Sequence, residues 1–389
     1  MAKITLAKGK EKRIEYGHPW IYRSDIESIE GGFTPGDTVD VYSSRNRFLG
    51  RGYINLKSQI SVRMLTYGHE EIDYGFLYKR IKSAWEYRQK VADPESCRVV
   101  FSESDFLPAL VVDKFAGILV VQTSALGMDR YKQEIVDILN DIIKPDGIYE
   151  RNDLGVRELE GLEQKKGFLS GRFDTNVLML ENGIKFKVDV ENGQKTGYFL
   201  DQKENRAALK PFVKGARVLD CFSHTGSFAL HAARYGASEV LGIDISEHAV
   251  STATDNARLN GLEDVCRFET ANTFDRLREY YDRNESFDTV ILDPPAFTKS
   301  KSAVEGAIRG YKEINLRAMK ILRSGGFLVT CSCSHHVDSE LFLDIVYNAA
   351  MDSGRRTRLV EYRSQAKDHP ILLASKETEY LKCVILQIE

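Results

Sequence analysis

The C-terminal half of the chain repeats one pattern of apolar and polar positions. A short apolar run is followed by a small or polar turn, and then by a stretch with apolar residues at helical spacing. VLDCF, EVLGIDI, VCRFE, FDTVILDPP and GGFLVTCSCS are the apolar runs. Runs this short, apolar on both faces, predict buried parallel strands. Helices are predicted after them at 227–235, 247–260, 274–281, 303–322 and 339–353, with Gly236 and Gly261 as stops. RTRLVEYRS and EYLKCVILQIE supply two last strands. The expected sheet has six parallel strands and a terminal antiparallel partner. Strict β/α alternation of this kind predicts a doubly wound, Rossmann-like α/β domain.

The first half reads differently. Residues 1–66 are brief β-like runs (KITL, TVDVYS, FLGRGYI, ISVRML) broken by turns such as Thr34-Pro35-Gly36-Asp37. They predict a small β-barrel of OB or PUA size. Residues 67–180 predict a small α+β domain. It has a helix over 72–91, strands CRVVFSE and ALVVDKFAGILVVQTS with a turn at Lys114–Gly117, a helix over 128–142, strand GIYERND and then a polar loop to about 171. VLMLENG and IKFKVDV form a hairpin about Asn182-Gly183. The expected division is 1–66, 67–180 and 181–389. Residues 191–212, with Gln194, Thr196 and Gly197 in a turn and then Lys203 and Arg206, read as a lid or as a linker.

Candidate chemistry gathers at the carboxyl ends of the predicted strands, where such sheets bind ligands. The first strand ends in Asp220, and the loop after it (Cys221 to Gly226) is built from small residues around one glycine. Asp244 ends the second strand, placed for ribose hydroxyls, with Ile245 beside it. A dinucleotide would need three glycines in that loop. A terminal acid suits a cation, so S-adenosylmethionine (SAM), with its sulfonium and ammonium, is the expected cofactor. Phe222, Ser223, Thr225, Gly226, Asn272 and Asp293 complete its candidate site. Asp293-Pro294-Pro295-Ala296-Phe297 can hold a base edge with an acid and carbonyls, and Phe297 can stack on its face. Cys331 and Cys333 point the same way on strand five. Cys333, nearer the carboxyl end, is the candidate nucleophile for C6 of a pyrimidine. Asp293, a water or His335 is the candidate base.

Composition narrows the class. The 389 residues are 42% hydrophobic and 29% charged, with six cysteines in no CxxC pairing. Those are globular values, and the cysteines read as reduced thiols of a cytoplasmic protein with no metal site. No apolar run nears the ~20 residues of a membrane span. Residues 1–66 hold 11 Lys and Arg against 7 Asp and Glu, or +4, which leaves −7 on the rest of a chain of formal charge −3. A basic small domain suits RNA phosphates. Lys8, Lys10, Lys12, Arg13, Arg23, Arg45, Arg47 and Arg51 are its candidates, and Lys195 is another.

Taken together, Lys195-Thr196-Gly197-x-x-x-Asp201-Gln202, Asp220-x-Phe222-x-x-Thr225-Gly226-x-Phe228, Asp293-Pro294-Pro295-x-Phe297 and Ser332-Cys333-Ser334 resemble the bacterial large-subunit ribosomal RNA (cytosine-C5) methyltransferases of the RlmI type. The resemblance covers nearly the whole chain. It implies a PUA domain, a central α+β domain and a class I methyltransferase domain. It also implies SAM held by the first loop, Asp244 and Asn272, Cys333 as nucleophile, Asp293 beside the target base, ribosomal RNA as partner, and a homodimer. The family commonly has an acid at Asn272, and the Asn is expected to accept through its carbonyl oxygen instead. A SAM-dependent enzyme acting on a purine nitrogen, which needs no cysteine, and a non-catalytic RNA-binding protein are the alternative readings.

Overall fold

Alternation of buried and exposed positions along the first strands closes a small β domain. The structure, a computed structural model, describes residues 1–298 and 300–389. Strands β1 (Ala2–Leu6), β2 (Trp20–Tyr22), β3 (Ile26–Glu30), β4 (Thr38–Tyr42), β5 (Phe48–Ile54) and β6 (Ile60–Thr66) form one sheet in the order β2-β6-β5-β4-β1-β3. Ile4, Leu6, Val39, Val41 and Val62 fill its interior. Gly50 and Gly52 let β5 lie close to β6, since a Cβ on either would sit 2.1 or 2.2 Å from a carbonyl oxygen of Thr66 or Arg63.

A second sheet has the order β11-β10-β9-β8-β7, from β7 (Ser96–Phe101), β8 (Leu110–Phe115), β9 (Ile118–Thr123), β10 (Gly147–Asn152) and β11 (Lys165–Ser170). The helix Tyr74–Val91 packs on it, capped by Asp73, which accepts from the Phe76 N–H. Two expectations need correcting here. The helix expected over 128–142 is two, Leu126–Arg130 and Lys132–Ile142, broken at Tyr131. The stretch expected to be a loop to residue 171 contains the helix Val156–Leu159 and edge strand β11. Edge strands are kept polar to discourage further pairing, so KKGFLS carries little apolar signal.

These two sheets belong to one compact unit, residues 1–179, 188–200 and 367–378. A buried ion cluster joins its parts. Arg63, 8% exposed, donates from Nη2 to Glu160 Oε1 at 3.1 Å and lies 3.7 Å from Glu103. Asn55 donates to Glu160 and the Trp20 indole to Glu103. Arg63→Met keeps the volume but strands two buried carboxylates. It is expected to cost about 3–5 kcal/mol of this unit's stability, read by urea unfolding. In the same unit, Arg151 donates to the carbonyls of Val190 and Gly193, and Thr196 donates to Asp113 at 2.6 Å. Residues 190–196 are therefore pinned in place.

The second unit holds residues 180–187, 201–366 and 379–389. The hairpin β12 (Asn176–Glu181) and β13 (Ile184–Asp189) turns at Asn182 and Gly183, both with positive φ (51° and 79°), as expected. The main sheet has β14 (Arg217–Cys221), β15 (Glu239–Asp244), β16 (Cys266–Thr270), β17 (Phe287–Leu292), β18 (Leu322–Ser332), β19 (Thr357–Arg363) and β20 (Lys382–Ile388). Its order is β16-β15-β14-β17-β18-β20-β19. As expected, six strands run the same way and one is reversed: β14 to β18 pair in parallel, and β19 points with them on the far side of β20. β20 runs antiparallel to β18, and β19 antiparallel to β20. With no helix between them, the last two strands can only return as an antiparallel pair. No helix among the described residues is long and apolar enough to cross a membrane.

Candidate active site

From β14 the chain winds one way to β15 and later the other way to β17. That reversal opens a crevice at the carboxyl ends of β14 and β17. The backbone joins its walls: the Ser223 N–H donates to the Ile243 carbonyl at 2.9 Å and the Asp293 N–H to the Cys221 carbonyl at 3.3 Å.

The loop after β14 alternates in hand. Phe222, His224 and Gly226 have positive φ (63°, 50°, 81°). The alternation folds the loop tightly, with the N–H groups of Ser223, His224 and Gly226 donated to Ile243, Asp244 and Ser223. Gly226 is needed there, because a Cβ would sit 2.9 Å from Phe268 and 3.0 Å from Ala253. Asp220 is fully buried. Its Oδ2 accepts from the Ala229 N–H at 2.9 Å, while Oδ1 has no protein partner. Ser223 Oγ and Thr225 Oγ1 are likewise buried without one. Burial first, and then the charge of Asp293, push the Asp220 carboxyl well above the usual carboxylate range. Buried polar atoms without partners are costly, and a cationic ligand with N–H donors would satisfy these. The residues present therefore fit SAM.

Asp244 accepts the N–H groups of His224 and Ser246, each at 2.9 Å, so one lone pair on each oxygen remains for ribose. Ile245, beside it, is 72% exposed, unusual for an isoleucine next to a ligand crevice. Asn272 departs from expectation. Its Oδ1 caps the helix Thr273–Asp282 by accepting from Phe274 at 2.9 Å and Asp275 at 3.4 Å. The oxygen is spent on the helix end, so the side chain offers a ligand N–H donors rather than the expected acceptor.

On the other wall, Asp293 Oδ1 accepts from Gln202 Nε2 at 2.8 Å. Pro294 is buried and Pro295 exposed. Phe297 is half-buried, 4.5 Å from Tyr311 and 6.1 Å from Phe274 between ring centroids, so it anchors the strand end in an aromatic cluster.

The two cysteines are separated by their surroundings. Cys331 is fully buried opposite Cys383 on β20, and that neighbour with burial drives its thiol pKa well up. β18 ends at Ser332, and Cys333 follows it, partly exposed, with Sγ 3.9 Å from the Pro294 carbonyl oxygen. Lys382, 2% exposed, donates to the carbonyls of Ser334 and Tyr380, each at 2.9 Å. Burial lowers its pKa to about 8, opposed by the charges of Cys333, Glu379 and Asp338. Lys382 escaped the sequence reading; the one signal was a lysine opening the largely apolar strand KCVILQI.

Five residues expected at RNA are engaged within the protein, among them Lys10, 3.3 Å from Asp25, and Arg47, paired with Glu15. Arg13 bonds the Trp20 carbonyl and Asp25, and Arg51 bonds Asp40 and the carbonyls of His69 and Glu70. The Lys195 ammonium lies 4.4 Å from the Phe199 ring centroid. Lys8, Lys12, Arg23 and Arg45 are exposed.

Comparison with known proteins agrees with this architecture. Residues 4–67 match the PUA-like domain family, and residues 162–366 match the S-adenosylmethionine-dependent methyltransferase family. The chain is 42% identical over 390 residues to the ribosomal RNA large subunit methyltransferase I of Aeromonas salmonicida, covering 99% of this chain and 98% of the relative. It is 42% identical over 386 residues to the protein of that name from Photobacterium profundum, covering 97% of each. In fold it superposes with TM-score 0.84 on a protein described as a SAM-dependent methyltransferase from Streptococcus mutans, at 19% identity and full coverage of both. A methyltransferase structure complexed with S-adenosylhomocysteine superposes with TM-score 0.86, also at 19% identity and full coverage of both.

Proposed function

Because the chain belongs to the ribosomal RNA large subunit methyltransferase I family of SAM-dependent enzymes, we propose that it forms 5-methylcytidine in large-subunit ribosomal RNA through a Cys333–C6 adduct. The observation that carries this reading is Cys333 itself. It is the one cysteine of six that is not buried, and it stands past the end of β18 near Pro294 and the Lys382 ammonium.

Carbon-5 of cytosine is a poor nucleophile. Addition of a thiolate at C6 gives it enamine character. Cys333 forms the C6–S bond, C5 accepts the methyl group, a base removes the C5 proton, and β-elimination breaks the C6–S bond and returns the thiolate. Bound SAM supplies the electrophilic methyl group, carried on a sulfonium. In this reading Asp220 takes its ammonium, the loop from Phe222 through Ser223 and Thr225 to Gly226 cradles its methionine end, and Asp244 takes the ribose. Ile245 and Asn272 line the adenine region. Asp293 and the carbonyls of Pro294 and Pro295 hold the base edge. Exposed Lys8, Lys12, Arg23 and Arg45 meet phosphates.

Nucleoside mass spectrometry tests the reading. The protein is incubated with SAM and unmodified large-subunit RNA or particles, and the RNA is digested. 5-Methylcytidine is expected. A methylated guanosine or adenosine as sole product overturns the proposal.

Lys382→Met gives a second check. Below pH of about 8 Lys382 carries its proton and favours a thiolate beside it. Alkylation of Cys333 by iodoacetamide at neutral pH is expected to slow about three- to tenfold in the variant. The difference should fade as pH passes about 8, where the native lysine also sheds its charge.

A further inference from the structure

Four side chains of the second unit form a line that ends at Asp293. Arg363 Nε donates to Asn205 Oδ1 at 3.0 Å. Asn205 Nδ2 donates to Gln202 Oε1 at 2.7 Å, and Gln202 Nε2 donates to Asp293 Oδ1 at 2.8 Å. Asn205 and Gln202 are 1% and 2% exposed, so bulk water cannot stand in for either partner. The direction of each bond follows from chemistry alone. A guanidinium has no acceptor, so the Asn205 atom facing it must be the oxygen. The other side of that amide is then NH2, which obliges Gln202 to face it with oxygen. Gln202 is left with NH2 toward Asp293. Arg363 is itself held by Glu361 at 2.8 Å and by the Glu204 carbonyl at 3.3 Å.

We propose that Arg363, Asn205 and Gln202 are a one-way hydrogen-bond relay that keeps the Asp293 carboxylate an acceptor, and so selects a cytosine, which offers a 4-amino donor, over a uracil, which offers a 4-oxo acceptor at the same place. The proposal rests on the reading of Asp293 as the group at the base edge. These three are positioning residues. They act on the base only through Asp293, whose titratable neighbours include Asp220 on β14 and Cys331 on β18. A carboxylate facing a carbonyl oxygen is repulsive and leaves both unpaired, whereas a carboxylate facing an amine is paired. A site built on hydrogen bonding rejects the wrong partner far more strongly than an apolar pocket does.

The relay can be reversed without changing its volume. In Asn205→Asp, Arg363 still has its acceptor, now a carboxylate. The second oxygen of Asp at 205 cannot donate, so Gln202 must turn its NH2 toward it and its carbonyl toward Asp293. In Asn205→Ala the chain is cut, and Gln202 stays free to keep its NH2 on Asp293. Initial rates of 5-methylation are measured on RNA carrying cytosine or uracil at the target, with SAM affinity measured alongside. Asn205→Asp is expected to lower the rate on cytosine about 10–100-fold and to lower the cytosine-to-uracil preference with it. SAM affinity should change far less than the rate, by no more than a few-fold through the effect of Asp293 on Asp220. Asn205→Ala should be the milder of the two. Asn205 Nδ2 also donates to the Ser364 carbonyl at 3.1 Å, which Asp cannot do, so a merely structural role predicts lower rates on both RNAs with the cytosine-to-uracil preference kept. If Asn205→Asp retains the native preference, or is milder than Asn205→Ala, the relay is wrong. If the native protein makes no 5-methylcytidine, or makes it without Cys333, it is the underlying reading that fails.

Discussion

Cys333→Ala is expected to lower methylation by at least about 10⁴-fold while leaving SAM affinity unchanged. Removing a nucleophile removes the covalent route itself, and such losses far exceed those from a single hydrogen bond. Cys331→Ala is the matched control. That residue sits two positions earlier, inside β18, and is fully buried against Cys383. Its loss is expected to cost some stability and to change the rate by no more than a few-fold. RNA carrying 5-fluorocytidine at the target provides a second readout. Fluorine at C5 cannot leave as a proton, so β-elimination stalls and the protein stays bound to RNA on a denaturing gel. That band should be absent for Cys333→Ala and present for Cys331→Ala. Activity of Cys333→Ala within tenfold of native would sink the covalent mechanism and favour chemistry at a purine nitrogen.

Asp220→Asn is expected to weaken SAM binding about 10–100-fold, the worth of a hydrogen bond to a charged group. The native carboxyl is held protonated to unusually high pH by burial and by the Asp293 charge, and its Oδ1 lacks a protein partner. Binding of a cation to Asp220 should therefore release a proton. Calorimetry in buffers of different ionisation enthalpy should show that release, and affinity should rise with pH across the titration. Asn cannot titrate, so the variant should lose both effects. The sign for stability is opposite. The folded pKa lies above the unfolded one, so the native ligand-free protein loses stability as pH rises from the unfolded value toward the folded one. Asp220→Asn escapes that loss, and its Tm should exceed the native one at neutral pH. A native protein that binds SAM with no proton release would overturn this assignment.

The same two sites show what each level of description decides. The parallel core of the methyltransferase sheet is legible because β14, β15, β17 and β18 carry apolar runs, each with a chemistry-bearing residue at or within one position of its end: Asp220, Asp244, Asp293 and Cys333. Strand β11 was not legible, since KKGFLS is an exposed edge whose pairing lies in its backbone rather than its side chains. A terminal antiparallel strand was legible, but not the insertion of β20 between β18 and β19, because an apolar run does not say which strands flank it.

At the site, the sequence determined which residue types stand at the strand ends, since period and strand length place them there without reference to anything distant. It preferred Cys333 to Cys331 only for lying nearer the carboxyl end, since the two share a face by alternation. Cys383 on β20 buries the first, and β18 ends before the second. It could not show that the Asn272 oxygen is spent on a helix cap. Nor could it bring Lys382 to the Ser334 carbonyl, 48 positions away in sequence, or Arg363 to Asn205, 158 away. Alternation and spacing are local and survive in any chain of this pattern. Burial, donor direction and the field around a charge depend on atoms far apart in sequence, and only the tertiary structure decided them.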